Sequence, residues 1–334
     1  MKEQNYPFRV PDQLYPMVDD HVLEVHNKWQ KYTRKDVSGL MPDPINVSSD
    51  ELFAKVVILE PDGEVDETHT GVVILPFQQA WKPSMFVRAK IDQEINMPNS
   101  RVIVLPQNSI TEEYIRLDDT EMKLLDNNGL DIIYEKYARI INVSGAAGSL
   151  ILHGDSFGGL IAYGIAGIGS LDFEVAGING DEPPNKDRSI KALTKDFMKS
   201  GGWSMQKDAV NDSGIPSLVE IFNTPGMALD YARFGIASFT KFNKLIKKHM
   251  ASPHFADLVR RALNEYPGSE ARLSTYAKTG YVEGSQMFDH EIVSDIAGLE
   301  LAHYDGVASH AHSTMDNPMA SALSKKLVKK VVNL

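Results

Sequence analysis

The chain of 334 residues has no cysteine. Disulfide bonds, thiolate metal ligands and a cysteine nucleophile are therefore excluded. A nucleophile in this protein must be a hydroxyl, a carboxylate or an amine. Any covalent catalysis would consequently depend on one of these three groups.

Positive charge and long apolar runs are also scarce. The 34 Lys and Arg residues face 45 Asp and Glu residues, which leaves a net charge of −11. Binding to nucleic acid requires a clustered basic surface, so we expect no nucleic-acid partner. Residues 1–10 lack the apolar run of a secretory signal, and no stretch reaches the roughly 18 apolar residues of a membrane span. We expect a cytoplasmic protein with no membrane span.

Six short apolar runs predict buried strands. Longer segments separate them, as in parallel sheets whose strands are joined by crossovers. The predicted strands are 71–75, 101–105, 149–153, 173–178, 272–276 and 299–303. This pattern, together with 43% hydrophobic residues, predicts an α/β fold with one large core.

Three further segments have clear patterns. Residues 11–34 show the spacing of an amphipathic helix. Apolar residues at 52–59, followed by the turn residues Pro-Asp-Gly at 61–63, predict a strand in a hairpin. Pro318 begins a last helix, and we expect its lysines to form a solvated face, namely Lys325, Lys326, Lys329 and Lys330.

A Gly-Asp-Ser-Phe-Gly motif at 154–158 centres on Ser156. It directly follows the predicted strand 149–153 and precedes small and apolar residues that predict a helix. In this setting the serine adopts a strained backbone conformation, and both glycines remove clashes with the strand and the helix. The N-terminus of the helix directs N–H groups towards developing negative charge. Ser156 is therefore the candidate nucleophile.

The His-Gly-Asp-Ser-Phe-Gly-Gly segment that begins at His153, with the strands around it, resembles the α/β-hydrolase superfamily from about residue 52 to the C-terminus. The resemblance implies an α/β-hydrolase fold, a mostly parallel sheet flanked by helices with an inserted helical lid. The expected divisions are an N-terminal helical extension at 1–50, a hydrolase core at 51–184 and 269–334, and the lid at 185–268. We expect no cofactor, and a few Met and aromatic residues of the lid should line an apolar acyl pocket.

In this superfamily the catalytic groups follow in the order Ser, acid, His, and the histidine lies between the last strand and the last helix. That order implies His312 as the base, with His310 as the alternative. A zinc site made by His303, His310 and His312 with Asp305 is a different interpretation of the same residues. We expect the triad and no metal, because no further ligand motif occurs elsewhere.

Two carboxylates are candidates for the acid of the triad. The resemblance implies Glu283, which follows the predicted strand 272–276 and has Gly280 three residues before it. The alternative is Asp181, after the predicted strand 173–178, where some thioesterase-like members carry the acid. The role requires a carboxylate, because it fixes the imidazole tautomer and stabilises the imidazolium.

The resemblance also implies an oxyanion hole. One N–H is that of Phe157, the residue after the nucleophile, and the other belongs to Phe77 or Gln78 in the loop after strand 71–75. Many relatives carry His-Gly at the start of this loop, whereas this chain has Pro76-Phe77. The difference separates the chain from lipases whose oxyanion loop consists of consecutive glycines.

The implied function is hydrolysis of a carboxylic ester or thioester through an acyl-enzyme, with a small-molecule ester or thioester as the partner. An acyltransferase would use the same residues with another acceptor. An alternative of a different class is an inactive α/β-hydrolase scaffold that binds a ligand or a partner. The missing His-Gly favours this alternative. The two glycines of the motif around Ser156, a sharp turn from strand to helix called the nucleophile elbow, oppose it. Dehalogenases and epoxide hydrolases of this fold are excluded, since they need a carboxylate nucleophile.

Overall fold

The computed structural model describes residues 6–49, 52–77, 79–109, 112–181, 183, 202–226, 244–246, 249, 255–276, 293–304 and 317–326. Within these residues eight strands form one sheet, with helices packed on both faces. None of the helices in these ranges is long and apolar enough to cross a membrane.

The sheet is parallel except for its second strand. The strands are β1 (Ile45–Ser49), β2 (Leu52–Leu59), β3 (His69–Ile74), β4 (Val102–Leu105), β5 (Ser149–Asp155), β6 (Val175–Asp181), β7 (Glu270–Tyr276) and β8 (Leu299–Tyr304). Their order in the sheet is β1-β2-β4-β3-β5-β6-β7-β8, and β2 runs antiparallel to both of its neighbours. The predicted fold class is confirmed, and each of the six predicted strands overlaps an observed one.

The strand order reverses between β3 and β5. These strands are parallel neighbours, and the register pairs Ile74 with Gly154 at their carboxyl ends. The loops that follow them therefore leave the same edge of the sheet side by side. Open α/β sheets bind ligands at such a point of reversal. The predicted oxyanion loop and Ser156 both lie there.

Two hydrophobic cores cover the two faces of the sheet. The helices are α1 (Asp20–Trp29), α2 (Arg34–Leu40), α3 (Pro83–Asn96), α4 (Asp119–Asn128), α5 (Asp131–Val143), α6 (Phe157–Gly167), α7 (Gly202–Asp212), α8 (Pro216–Phe222), α9 (Phe255–Glu265) and α10 (Pro318–Ser324). One core involves α5, α6 and α9, and the other involves α1, α3, α8 and α10. Because alternate side chains of a strand point to opposite faces, Val72 and Ile74 belong to the first core and Val73 to the second.

The predicted single helix at 11–34 is wrong, because the segment is divided. A 3-10 helix spans Asp12–Met17 and contains Pro16, which has no N–H to donate. α1 begins after Asp19, whose side chain accepts a hydrogen bond from the backbone N–H of Val22 at 3.0 Å. Such a cap starts a new helix. The apolar spacing continues across the break, which is why the sequence suggested one helix.

The predicted hairpin after β2 is also wrong. The turn at 61–63 leads to β3, but β2 pairs with β1 and β4 and not with β3. The antiparallel partner of β2 precedes it in the chain, where Ser49 pairs with Leu52. The N-terminal extension predicted as helical at 1–50 therefore contributes a strand, β1, to the sheet.

α9 comes from the segment predicted as the lid, 185–268, and packs on the sheet. Phe255, Leu258 and Val259 are buried in the same core as α6. Its place in the chain, between β6 and β7, is that of a crossover helix between parallel strands. α9 therefore belongs to the helical layer that covers the sheet.

Candidate active site

Ser156 occupies a sharp turn between β5, which ends at Asp155, and α6, which begins at Phe157. Its backbone has φ 52° and ψ −123°. In the described part of the chain it is the only residue other than glycine with a positive φ. Such conformations cost about 1–3 kcal/mol and persist where the surrounding structure imposes them. Strain confined to this serine is what the predicted elbow requires.

Close backbone contacts require both glycines of the motif. A Cβ added at Gly154 would lie 2.1 Å from the carbonyl oxygen of Gly158. One added at Gly158 would lie 2.2 Å from the carbonyl oxygen of Ile74. Both distances are far below van der Waals contact, so α6 can approach β5 and β3 only where these residues lack a side chain. The steric reason for the motif is confirmed at both positions.

Two of the predicted oxyanion-hole residues lie side by side at this edge. Phe77 follows β3, and its ring meets the ring of Phe157 edge-on with centroids 5.4 Å apart. Phe157 is the first residue of α6, where backbone N–H groups have no partner within the helix. The geometry therefore brings the loop after β3 against the start of the helix that follows Ser156.

Hydrogen bonds from other elements hold the rest of this loop. The carbonyl oxygen of Gln79 accepts from the backbone N–H of Gln107 at 3.0 Å. The backbone N–H of Trp81 donates to the hydroxyl of Tyr114 at 2.9 Å. Both partners follow β4, so the loop is tied to the neighbouring strand connection. An oxyanion hole needs such rigidity, because its donors must be in place before the charge develops.

Four predicted site residues lie outside the described residues, namely Gln78, Glu283, His310 and His312. β8 ends at Tyr304 and α10 begins at Pro318, so both histidines belong to the connection between these two elements. That is the place which the family resemblance implies. Among the described residues, no three His, Asp or Glu side chains lie close enough to hold a metal ion. Asp305, His310 and His312 of the zinc alternative lie outside that part of the chain.

Asp181 ends β6, and its side chain is buried. The hydroxyls of Ser274 and Ser324 donate hydrogen bonds to its two carboxyl oxygens, the latter at 2.9 Å. Burial, with the repulsion of the nearby Asp155 carboxylate, raises the pKa of Asp181 well above its usual range. The shift favours the protonated form more than in an exposed aspartate.

The elbow adjoins a set of buried charges that sequence reasoning missed. We call it the buried charge cluster, and each member is at most 4% exposed. Its members are Arg88 and Asp92 of α3, His153 and Asp155 of β5, Asp181 of β6, and Lys325 just after α10.

Lys325 makes ion pairs with two carboxylates of the cluster. Its Nζ lies 3.0 Å from Asp155 Oδ1 and 3.4 Å from Asp92 Oδ2. Arg88 donates to the other oxygen of Asp155. His153 Nδ1 lies 3.2 Å from Asp92 Oδ2. The contacts join α3, β5 and the end of α10 into one polar network.

The charges of the cluster compensate for their burial. Burial disfavours the charge on Lys325, but the carboxylates of Asp155, Asp92 and Asp181 outweigh it and raise the pKa of the lysine. Burial also opposes ionisation of Asp92, but Lys325 and His153 outweigh it, so the pKa of Asp92 lies below its usual range. Opposite charges therefore face one another within the cluster, as buried charges require.

The prediction that the C-terminal lysines form a solvated face is wrong for Lys325, which is 1% exposed. α10 ends at Ser324 and packs on α3, and this packing carries Lys325 to its partners. Asp92 is 233 residues away in the sequence. Several lysines at the end of a helix have the sequence pattern of an exposed surface. The carboxylate partners of Lys325 become visible only in the tertiary structure, because they are distant in the sequence. The one local signal was the aspartate inside the motif, Asp155.

No protein-family model matches the sequence, and no curated protein matches it either. Solved structures resemble it at low sequence identity. A candidate lipase from Acinetobacter baumannii AYE has a TM-score of 0.56 at 12% identity, covering 95% of this chain and 98% of its own. A 2-hydroxy-6-oxo-6-phenylhexa-2,4-dienoate hydrolase from Rhodococcus sp. strain RHA1 has a TM-score of 0.50 at 14% identity, covering 87% and 99%. A thermophilic esterase from Thermogutta terrifontis has a TM-score of 0.50 at 13% identity, covering 87% and 99%. With the sheet order and the strained serine after β5, this likeness shows that the chain has the α/β-hydrolase fold.

Proposed function

We propose that the protein is a serine hydrolase that cleaves a carboxylic ester or thioester through an acyl-enzyme. The observation that carries the proposal is the conformation of Ser156, which has φ 52° at the end of β5 with glycine required on both sides. Strain of this kind is retained where function needs it. A glycine-rich turn with an incidental serine would have no reason to hold that serine in this conformation.

The proposed reaction uses a general base and two N–H donors. His312 removes the proton of Ser156 Oγ, which attacks the carbonyl carbon of the substrate. The backbone N–H of Phe157, with that of Phe77 or Gln78, stabilises the oxyanion. The alcohol or thiol leaves with the proton held by His312. Water, activated by the same histidine, then attacks the acyl-enzyme and releases the acid.

We propose Glu283 as the acid that orients His312. The acid must be ionised to stabilise the imidazolium. The raised pKa of Asp181 works against this role, because a protonated carboxyl carries no charge. Both carboxyl oxygens of Asp181 also already accept hydrogen bonds, from the hydroxyls of Ser274 and Ser324, and this too works against a role as the partner of His312.

The similar structures are a candidate lipase, a hydrolase and an esterase, and this likeness supports hydrolysis. An acyltransferase would use the same residues with an acceptor other than water. An inactive scaffold would keep the fold without the chemistry. The oxyanion loop lacks the usual His-Gly, but a scaffold without chemistry would have no use for a strained serine.

The test is labelling of the protein with a fluorophosphonate, which reacts covalently with activated serines. We expect the wild-type protein and Ser38→Ala to be labelled and Ser156→Ala to remain unlabelled with an intact fold. Ser38 is a suitable control because it is an exposed serine on α2. Hydrolysis of an activated aryl ester should fall by several orders of magnitude in Ser156→Ala. Equal labelling of Ser156→Ala and wild type would overturn the proposal. If labelling depends on Ser156, a panel of esters and thioesters would identify the substrate.

A further inference from the structure

The residue next to the nucleophile is held by the C-terminal end of the fold. Asp155 immediately precedes Ser156, and its carboxylate accepts from Arg88 and lies 3.0 Å from Lys325 Nζ. We propose that Lys325 is a positioning residue which, through Asp155, holds the elbow in the conformation that presents Ser156. This inference rests on the proposed function.

The backbone geometry explains why such an anchor would matter. Ser156 could relax its positive φ only if the peptide units beside it turned. On one side, the side chain of Asp155 is fixed by two cations. On the other side, the N–H of Gly159 donates to the carbonyl oxygen of Ser156 at 2.9 Å. Loss of the Lys325 contact would weaken the first of these two restraints, because Arg88 alone would then hold the Asp155 side chain.

The same helix end reaches the other supports of the elbow. Ser324 donates to the carboxyl of Asp181, and the carbonyl oxygen of Asp181 accepts from the N–H of Ser156 at 2.7 Å. α10 also follows the connection that contains His312, the proposed base. The contact between Lys325 and Asp155 therefore joins the end of α10, which follows the segment with the proposed base, to β5, which precedes the nucleophile.

Stability alone is a weak reason for a buried lysine here. Buried ion pairs can often be replaced by apolar residues without loss of stability, whereas removal of one partner leaves an uncompensated charge. The titratable and charged groups around Lys325 are Arg88, Asp92, His153, Asp155 and Asp181. A test must therefore remove a positive and a negative charge together.

The test variant combines Lys325→Met with Asp92→Asn, which keeps the net charge of the cluster and removes the contact to Asp155. The matched control combines Lys136→Met with Glu121→Gln. In that pair Lys136 is buried and Glu121 partly buried, with side chains 4% and 16% exposed. Lys136 Nζ lies 2.7 Å from Glu121 Oε1, and the pair joins α5 to α4. Steady-state kinetics on an activated ester and the second-order rate of fluorophosphonate labelling are measured on folded protein.

We expect the test variant to lose about 10- to 100-fold in kcat, the effect of a small misplacement of a reacting group, with KM changed by less than about threefold. The labelling rate should fall in parallel, and the control variant should keep both rates. A folded test variant with the kcat and labelling rate of the control would overturn the inference. If the test variant does not fold, the charge-balanced pair Lys325→Met with Asp155→Asn decides, since wild-type kcat in that variant overturns the inference and a similar loss supports it. Absence of labelling in the wild type would instead reject the proposed function.

Discussion

The backbone N–H of Ser156 donates a hydrogen bond to the carbonyl oxygen of Asp181 at 2.7 Å, while the Asp181 carboxyl is bound by the hydroxyls of Ser274 and Ser324. The main chain of Asp181 therefore supports the elbow, and its side chain belongs to the buried charge cluster. These two roles can be separated, because a substitution at the side chain leaves the backbone hydrogen bond in place.

Replacement of each candidate acid by its amide should distinguish them. Asp181→Asn should keep activity within about threefold, since the amide resembles the protonated carboxyl in shape and charge. Glu283→Gln should lower kcat by up to about ten-thousandfold, since an amide cannot stabilise the imidazolium. The measurement is hydrolysis of an activated aryl ester by both variants, after circular dichroism has shown that each is folded.

The opposite ranking would reassign the acid. A severe loss in Asp181→Asn with a mild one in Glu283→Gln would mean that the acid follows β6, as in thioesterase-like members. Acyl thioesters would then be the first substrates to test.

The raised pKa of Asp181 has a consequence for stability. Its pKa in the folded protein lies above the ordinary value of 3.8, so the folded state binds this proton more tightly than the unfolded state. The stability that this provides is complete below about pH 4 and is lost as the pH rises through the folded pKa, by at most about 1.4 kcal/mol per pH unit. Asp181→Asn removes the ionisation. We therefore expect its free energy of unfolding, relative to wild type, to increase from pH 4 to pH 8 in urea titrations.

Asp92→Asn provides a control of opposite sign. The pKa of Asp92 is lowered in the folded protein, so its stabilisation is present above the unfolded pKa and is lost as the pH falls. The variant should be less stable than wild type at neutral pH, and the difference should shrink towards acidic pH. Parallel pH profiles for the two variants would contradict the charge assignment of the cluster.

Gly158→Ala should lower the free energy of unfolding by about 3 kcal/mol or more. The added methyl group would clash with backbone atoms, which cannot move aside as the end of a flexible side chain could. The added methyl group would lie 2.2 Å from the carbonyl oxygen of Ile74. The matched control is Gly63→Ala, where no atom lies within 4 Å, and we expect a change of less than about 1 kcal/mol there. Thermal and urea unfolding of both variants measure the difference, and equal stability would show that α6 can move away from β3.

The sequence was sufficient to predict the sheet, because buried strands are local apolar runs between longer connections. The strand that was missed, Ile45–Ser49, lies at the edge of the sheet. Its two apolar residues are separated by a polar one, so it forms no apolar run. The helix at 11–34 was overextended because periodicity records which face is buried and says little about where capping residues such as Asp19 interrupt the chain.

The elbow was predictable for the same local reason, since Gly154, Ser156 and Gly158 act within one turn. The buried charge cluster was not. Lys325 and Asp92 lie at distant points of the chain, and each has the residue type of an exposed surface. Their burial depends on the packing of α10 against α3, which no local pattern of either segment records.

The last prediction concerns the base. His312→Ala should lose activity as Ser156→Ala does, while His310→Ala should keep most of it, because the family order implies His312 as the group that takes the serine proton. In the wild type, kcat/KM should fall at low pH as the imidazole becomes protonated, with an apparent pKa near neutrality. Activity assays of the two alanine variants and a pH profile of the wild type provide the measurements.

Two results would contradict this assignment in different ways. If His310→Ala is the severe variant, the base is His310, and the connection between β8 and α10 brings His310 rather than His312 to Ser156. If both variants are inactive and a chelator abolishes wild-type activity, the histidines bind a metal and the zinc interpretation replaces the triad. Activity that resists chelation and depends on His312 alone supports the triad, because a zinc site would lose its metal with either histidine.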